Sequence, residues 1–321
     1  MYRALEADAS IVVACHDVRR WESLIKALSS LRSQQRAAVS IIVAVDNSQE
    51  LYERVVACDL ADTVVLNNGR RGASNTRNAG AAVATSEVIA FLDDDAYADP
   101  EWLHNLLQPF ADPSVVGVGG SVEPVWESVQ PTWFPAEFSW VVGATWLGLP
   151  TEQASVRNVW AENMAIRRDA FVKVNGFRSS FGKVGSVSQP EDTDLCIRSA
   201  QAVPGSTWVY VPRAVVHHLV PAARSNVGFF LRRCHNEGRG KAKLAYLMKN
   251  EGSSRLTAEE AYLKEILPRA AVRYMVAGMK DPLAFRKLVM LALGTGAAVL
   301  GYLQDAISLT VGTRLPRESG A

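Results

Sequence analysis

The chain has 321 residues, with 34 Lys and Arg against 33 Asp and Glu, 48% apolar and 21% charged content. That composition excludes a disordered chain and is enough to bury one large core or two modest ones. A formal net charge of +1 makes no case for nucleic acid as a partner.

Residues Met1–Ser10 carry Glu6 and Asp8 and lack the apolar stretch of a signal peptide, so no leader is expected. Ser10–Ala14 is a short apolar run with β-branched residues, which predicts a buried strand. A helix follows, with Trp21, Leu24, Ile25, Leu28 and Leu31 on one face. Ser40–Val45, Thr63–Leu66 and Val88–Leu92 are the next predicted strands. A helix is expected between the last two, with Ser74 as its N-cap. Asp99-Pro100-Glu101 has the order of a helix start: cap, Pro at the first turn, then an acid. Leu103, Leu106, Leu107 and Phe110 supply that helix's apolar face, and Val115–Val118 is a fifth strand. Strands alternating with helices predict an α/β fold with a parallel, doubly wound sheet.

Such sheets bind ligands at the carboxyl ends of their strands. The first two strands end at Cys15-His16-Asp17 and Asp46-Asn47-Ser48, and the fourth at Asp93-Asp94-Asp95. These clusters therefore fall at one edge of the sheet. Three adjacent carboxylates repel one another unless a cation or solvent offsets them. Mg2+ and Mn2+ prefer carboxylate, phosphate and water oxygens, so a D-x-D at a strand end can hold a metal against a diphosphate. By itself the triple acid is a weak signal, and a solvated turn is its commoner explanation.

Residues 123–160 hold five of the eight tryptophans: Trp126, Trp133, Trp140, Trp146 and Trp160. Sugar rings pack on flat aromatic faces, so the tract suits an acceptor surface, but aromatics are also ordinary core material. Trp208–Val216 is an apolar run ending in His217-His218. Adjacent strand side chains face opposite ways, so one histidine of the two points to the site. From Asn226 the pattern turns helical. Residues 1–220 hold 18 basic and 25 acidic side chains, whereas residues 221–321 hold 16 and 8. A basic C-terminal third suits an anionic membrane surface or phosphate groups, and also a solvated helical face. Leu288–Gln304 carries no charge and fits a packed helix or an interfacial or re-entrant segment. The cysteines, Cys15, Cys58, Cys196 and Cys234, are widely spaced without a C-x-x-C pair, which predicts reduced thiols and no zinc site.

The block N-N-G-R-R-G-A-S-N-T-R-N-A-G, then V-I-A-F-L-D-D-D and D-P-E-W-L, between Asn67 and Leu103, resembles the signature of family-2 glycosyltransferases with the GT-A fold. S-I-V-V-A-C-H-D at Ser10–Asp17, V-D-N-S at Val45–Ser48 and P-E-D-T-D-L-C-I-R at Pro190–Arg198 match further motifs in family order, from about residue 10 to residue 240. The resemblance implies a nucleotide-sugar donor, a Mn2+ or Mg2+ ion, and an inverting transfer. It assigns Asp46 to the nucleotide base, and Cys15, His16 and Asp17 to the loop around base and ribose. His16 stands where the family often has a tyrosine. Arg77 would contact the nucleotide, Asp93 and Asp94 the ribose and metal-bound water, and Asp95 the metal. Asp192 matches the general base, and the family's strand-His-Pro pattern selects His218 as a third ligand or diphosphate contact. Arg232 and Arg233, in F-F-L-R-R-C-H-N-E-G-R-G-K, could clamp a diphosphate.

The tract from Glu123 to Arg198 looks like enzymes that add a sugar to polyprenyl- or dolichyl-phosphate-linked glycans, with glucuronosyl transfer to a lipid-linked glucose in that group. It brings Trp160, Asn163 and Glu191 forward as acceptor or diphosphate residues. Where that group has Glu-Glu-Thr-Glu, this chain has Glu-Asp-Thr-Asp. The expected layout is a catalytic domain over residues 1–222, its nucleotide-sugar half 1–120 and acceptor half 121–222, followed by a helical extension over 223–321. The expected place is the cytoplasm, peripheral to the inner face of the cell membrane, with a lipid-linked or saccharide acceptor. Two enzyme alternatives fit the sequence less well. A dinucleotide-binding oxidoreductase needs glycines after the first strand, and Ala14–Arg19 has none. A sugar nucleotidyltransferase shares the sheet but gives no reason for the Asp192 block. A non-catalytic membrane-associated scaffold is opposed by the acids at Asp46, Asp95 and Asp192.

Overall fold

A computed structural model describes residues 7–182, 189–250 and 257–310. The strands are β1 (Ala9–Cys15), β2 (Ser40–Asp46), β3 (Thr63–Asn67), β4 (Val88–Asp93), β5 (Ala96–Ala98), β6 (Val115–Trp126), β7 (Ala154–Val156), β8 (Asn163–Arg167) and β9 (Thr207–Val220). The helices are α1 (Trp21–Arg32), α2 (Gln49–Ala57), α3 (Ala73–Ala82), α4 (Trp102–Leu107), α5 (Arg168–Lys173), α6 (Glu191–Ala202), α7 (Val227–Asn250), α8 (Thr257–Ala261), α9 (Leu267–Gly278) and α10 (Pro282–Thr310). The described residues fall into two compact units. One comprises 7–125, 149–182 and 191–220; the other comprises 126–148, 189–190, 221–250 and 257–310.

The first unit is built on one mixed sheet in the order β3-β2-β1-β4-β8-β6-β9-β5, with β7 beside β9. β3, β2, β1 and β4 run parallel, as the alternation of strands and helices predicts. β8 is antiparallel to both β4 and β6, and β5 and β7 are antiparallel to β9. The apolar runs are continuous because both faces are covered. Ile11, Val13 and Cys15 of β1 face the side packed by Leu24 and Leu28 of α1 and Leu51 of α2. Val12, with Phe91 of β4, faces Met164, Phe171 and Leu195 on the other side. Burying each such side chain contributes about 1.5–3 kcal/mol.

Glycines let β6 lie close to its neighbours. A Cβ on Gly120 would sit 1.8 Å from the Ala214 carbonyl oxygen and 2.6 Å from Asn163 Nδ2. Gly120→Ala is therefore expected to destabilise the protein by about 3 kcal/mol, the upper end for an overpacked core. Chemical denaturation measures this; a midpoint equal to wild type would mean that the strands separate freely at that point.

Two helix starts differ from expectation. α3 begins at Ala73 behind Gly72, whose φ of 125° is one that L side chains rarely adopt. Ser74 lies inside the helix, and its hydroxyl donates to the Phe181 carbonyl at 2.9 Å. α4 begins at Trp102, and Asp99 does not cap it with its side chain. Asp99 instead places its carboxylate 2.7 Å from His217 Nε2, on β9.

In the second unit, the segment 126–148 belongs with the C-terminal helices, whereas the sequence reading groups it with the catalytic half. Its aromatic rings pack as core material. Phe230 of α7 meets Trp133, Phe134 and Phe138 with centroids 5.7, 5.5 and 5.3 Å away, and Trp146 meets Tyr262 edge-on at 4.9 Å. Glu137 is buried and accepts hydrogen bonds from Arg273 and from the Tyr274 hydroxyl. α10 is the one helix among the described residues that is long and apolar enough to cross a membrane. Its most apolar 18-residue window has a mean hydropathy of 1.6 and is 22% buried.

Candidate active site

The acids gather where the parallel strands end. β4 delivers Asp93, and Asp94-Asp95 turn the chain into the short strand β5. β5 pairs Ala96 with His218 of β9, and this register brings the histidine to the acids. His218 Nε2 lies 3.5 Å from Asp95 Oδ2, and both side chains are nearly fully buried. His217, one residue earlier, faces the other way. It reaches Asp99 and Glu123 and stacks on Tyr97 at 4.8 Å.

Two arginines divide the three carboxylates. Arg77 of α3 bridges Asp93 Oδ1 at 2.6 Å and Glu191 Oε1 at 3.0 Å. Arg20, in the turn before α1, reaches Asp94 Oδ1 at 2.5 Å and Asp95 Oδ2 at 2.9 Å. Asp94 Oδ2 is buried and has no hydrogen-bond partner among the described residues. Burial, and then the charge of Asp95, push the Asp94 carboxyl up to about 7, against the pull of Arg20. Arg20 was not singled out from sequence, although three adjacent acids require a cation.

α6 opens with Glu191 and Asp192, where the helix dipole favours carboxylates. Asp192 Oδ1 accepts the Thr193 backbone N–H at 2.6 Å. Burial and then Asp192 raise Glu191 to about 7, with Arg77 opposing. Glu162, just before β8, was also missed from sequence. Burial raises its carboxyl to about 8; His218 opposes, while Asp93, Asp95 and Asp192 add to the rise. Glu162 is therefore within electrostatic reach of His218, Asp93, Asp95 and Asp192.

Other sequence candidates take different places. Asp46 binds its own loop, accepting from Asn47 and Asn67 at 2.8 and 3.2 Å and from the Gly72 backbone N–H at 3.0 Å. Asp17 accepts from the Arg19 backbone and pairs with its guanidinium, which holds the carboxyl down at about 2. His16 is exposed. The Cys15 side chain is buried in the core beside Val13, and burial pushes its thiol well up, which leaves only its backbone for the nucleotide-loop reading. Asn163 is buried between strands. Its Nδ2 donates to the carbonyls of Ser121 and Ala214 at 2.7 and 2.8 Å, and its Oδ1 accepts from Trp102 Nε1 at 2.8 Å. Both hydrogens of its amide nitrogen are used, so the side chain is a strut between strands. Trp160 is half-buried against the core. Arg232 and Arg233 lie on α7 in the other unit. Arg233 pairs with Glu237 at 2.8 Å and stacks 5.8 Å from the Trp140 ring centre.

Among the described residues no three of His, Cys, Asp and Glu converge as a ready-made metal cage. The donor set still fits Mg2+ or Mn2+. Such ions use one or two protein carboxylates and take their remaining oxygens from substrate phosphates and water. Asp95, with His218 beside it, and the unpartnered oxygen of Asp94 meet that description.

Known proteins bear on this geometry. Over 306 residues the chain is 29% identical to the glucosyl-dolichyl phosphate glucuronosyltransferase of Haloferax volcanii, covering 93% of this chain and 96% of that one. It is 26% identical to the succinoglycan biosynthesis protein ExoM of Rhizobium meliloti, over 68% of this chain and 69% of the relative. Its fold is similar to that of a mannosyltransferase from Pyrobaculum calidifontis solved with GDP-Man and Mn2+, with a TM-score of 0.62 at 18% identity over 94% of this chain and 88% of that one. These findings agree with the GT-A fold expected from the sequence motifs. The profile described as Glycosyl transferase family 2 matches residues 10–174, more than half of the chain, so the chain belongs to that family.

Proposed function

We propose that the chain is an inverting glycosyltransferase. It moves a sugar from a nucleotide-diphosphate sugar to a hydroxyl of a lipid-linked saccharide, at the cytoplasmic face of a membrane. The observation that carries this reading is the ion-pair chain Asp93–Arg77–Glu191. It holds the N-terminus of α6, and with it Asp192, against the acids at the end of β4. This arrangement supports a diphosphate site at one edge of the sheet, next to the Asp192 carboxylate at the start of α6.

In this reading Asp192 takes the proton of the acceptor hydroxyl as its oxygen attacks the anomeric carbon. The nucleotide diphosphate leaves from the opposite face, so configuration inverts. Asp95 and His218 would hold a Mn2+ or Mg2+ ion, whose chemistry is to neutralise the departing diphosphate. Asp46 ties the loop that carries Arg70 and Arg71 to the strand edge where the base would lie. The sheet unit carries the chemistry, and residues 223–321 bring it to the membrane. The lipid-linked acceptor rests on the relative from Haloferax volcanii, which aligns over nearly its whole length.

The test is turnover with a panel of nucleotide sugars, with dolichyl- or polyprenyl-phosphate-linked glucose as acceptor and with a chelator arm. Transfer with inverted configuration, lost in chelator, is expected. Retained configuration, or full activity in excess chelator, overturns the mechanism. Hydrolysis and transfer absent for every donor overturn the enzyme reading.

A further inference from the structure

α10 has two unlike faces. Ala284, Met290, Leu291, Gly294, Gly301 and Asp305 are buried. Around Gly301 this face lies on α7 with almost no side chain between the two helices. A Cβ on Gly301 would meet the His235 carbonyl oxygen at 2.0 Å, and one on Gly238 would meet that of Ala298 at 1.9 Å. Further along, Arg239 Nε reaches Asp305 Oδ1 at 2.8 Å, and His235 Nε2 lies 3.1 Å from Gln304 Oε1. From Gly294, beside Phe230, to Asp305, beside Arg239, α7 accompanies α10 for several turns.

The opposite face is left exposed by the described residues. Phe285, Val289, Leu293, Leu300, Leu303 and Ile307 are all exposed, Leu300 by 65%. They recur with the spacing of a single helical stripe, about 33 Å long at 1.5 Å per residue. α9 packs beside α10 and adds exposed Val272, Met275, Val276 and Met279, the last exposed by 76%. Arg269, Lys280 and Arg286 are exposed around this apolar edge. A soluble surface rarely leaves such a stripe uncovered.

The stripe alone suits a spanning helix, but its partner helix does not. α7 carries Arg232, Arg233, Glu237, Arg239, Lys241, Lys243 and Lys249. If α10 crossed a bilayer, these charges would enter hydrocarbon alongside it, where each is costly. Separating the helices instead would leave the buried Asp305 without its arginine. A helix with one apolar face, one polar partner and basic residues at its edge is stable lying in the plane of an anionic bilayer.

Resting on the membrane reading above, we propose that α9 and α10 form an in-plane membrane surface. The Phe285–Ile307 stripe and the Val272–Met279 edge enter the boundary between headgroups and acyl chains, and α10 does not span. The occupant is an anionic lipid surface, which the basic residues around the edge favour over a second copy of the same basic unit.

The experiment adds the full chain to preformed vesicles of phosphatidylcholine and phosphatidylglycerol. Co-sedimentation reads binding. Arg286→Cys and Ser308→Cys variants, with Cys58→Ser to remove the half-buried thiol, are then labelled with a membrane-impermeant maleimide. Binding that falls as salt rises, with both new thiols labelled from outside, is expected. Leu293→Glu with Leu300→Glu should weaken vesicle binding on the order of 10²-fold, from two apolar side chains lost to the interface. Both residues are exposed, so the thermal melt should not change. Bound protein with one end protected until detergent is added overturns the in-plane placement and leaves membrane association standing. No vesicle binding by wild type overturns the membrane reading itself. A dimer in solution that the double variant dissociates would assign the stripe to a second copy and overturn the lipid surface.

Discussion

Asp192→Asn is expected to slow sugar transfer by on the order of 10²-fold or more, the usual contribution of a positioned general base. The substitution keeps the size of the side chain and its acceptor oxygen, so the Thr193 backbone N–H, now 2.6 Å from Asp192 Oδ1, retains a partner. The start of α6 is also held from outside Asp192, through Glu191 and Arg77. The fold and the donor site should therefore survive. Steady-state turnover, together with donor binding by calorimetry, separates the possibilities. A fall in rate at near-normal donor affinity supports the role of base. If affinity collapses along with rate, Asp192 is a binding residue. Glu162, within electrostatic reach of the same acids, then becomes the group to test next.

Asp95→Asn is expected to abolish metal-dependent donor binding and, with it, turnover. Asp95 sits between the two groups that define the centre, Arg20 at 2.9 Å and His218 at 3.5 Å, so its carboxylate is where a divalent ion would add. Stability should not fall. Asp94 is raised to about 7 by burial and then by the charge of Asp95, so removing that charge relieves a repulsion between buried neighbours. Arg20 keeps its bond to Asp94. Mn2+ binding followed by electron paramagnetic resonance, with a thermal melt as control, checks both halves. Wild-type Mn2+ affinity in the variant, with or without nucleotide, would move the metal site elsewhere.

Much of this arrangement is written in local pattern. The apolar runs ending at Cys15, Asp46 and Asp93 became three parallel strands with polar ends at one edge, because a strand buried on both faces must be apolar until it leaves the sheet. The alternation rule separated His217 from His218, and it also holds for Cys15, which shares a face with Ile11 and Val13 and so turns into the core. That signal was available in the sequence and was outweighed by the position of Cys15 in a motif. The helix starts were less legible. Ser74 and Asp99 have the chemistry of caps, but Gly72 tolerates the φ of 125° that the chain needs there, and Asp99 is engaged by a histidine 118 residues away.

What only the tertiary structure decided are the partnerships between distant residues. Arg20 and Arg77 come 74 and 16 residues before the acids they neutralise, and Arg77 also reaches Glu191, 114 residues on. No local pattern assigns a cation to one carboxylate among three. Asn163 has the sequence context of a substrate residue, yet it joins carbonyls 42 residues before it and 51 after it, because those backbone groups would otherwise be buried unpaired. The aromatic tract shows the same limit. Trp133 lies in the tract that suits an acceptor surface, and its partner in the fold, shared with Phe134 and Phe138, is Phe230, on a helix nearly a hundred residues later. Composition and periodicity determined which residues must leave water, and chain topology determined which of them meet.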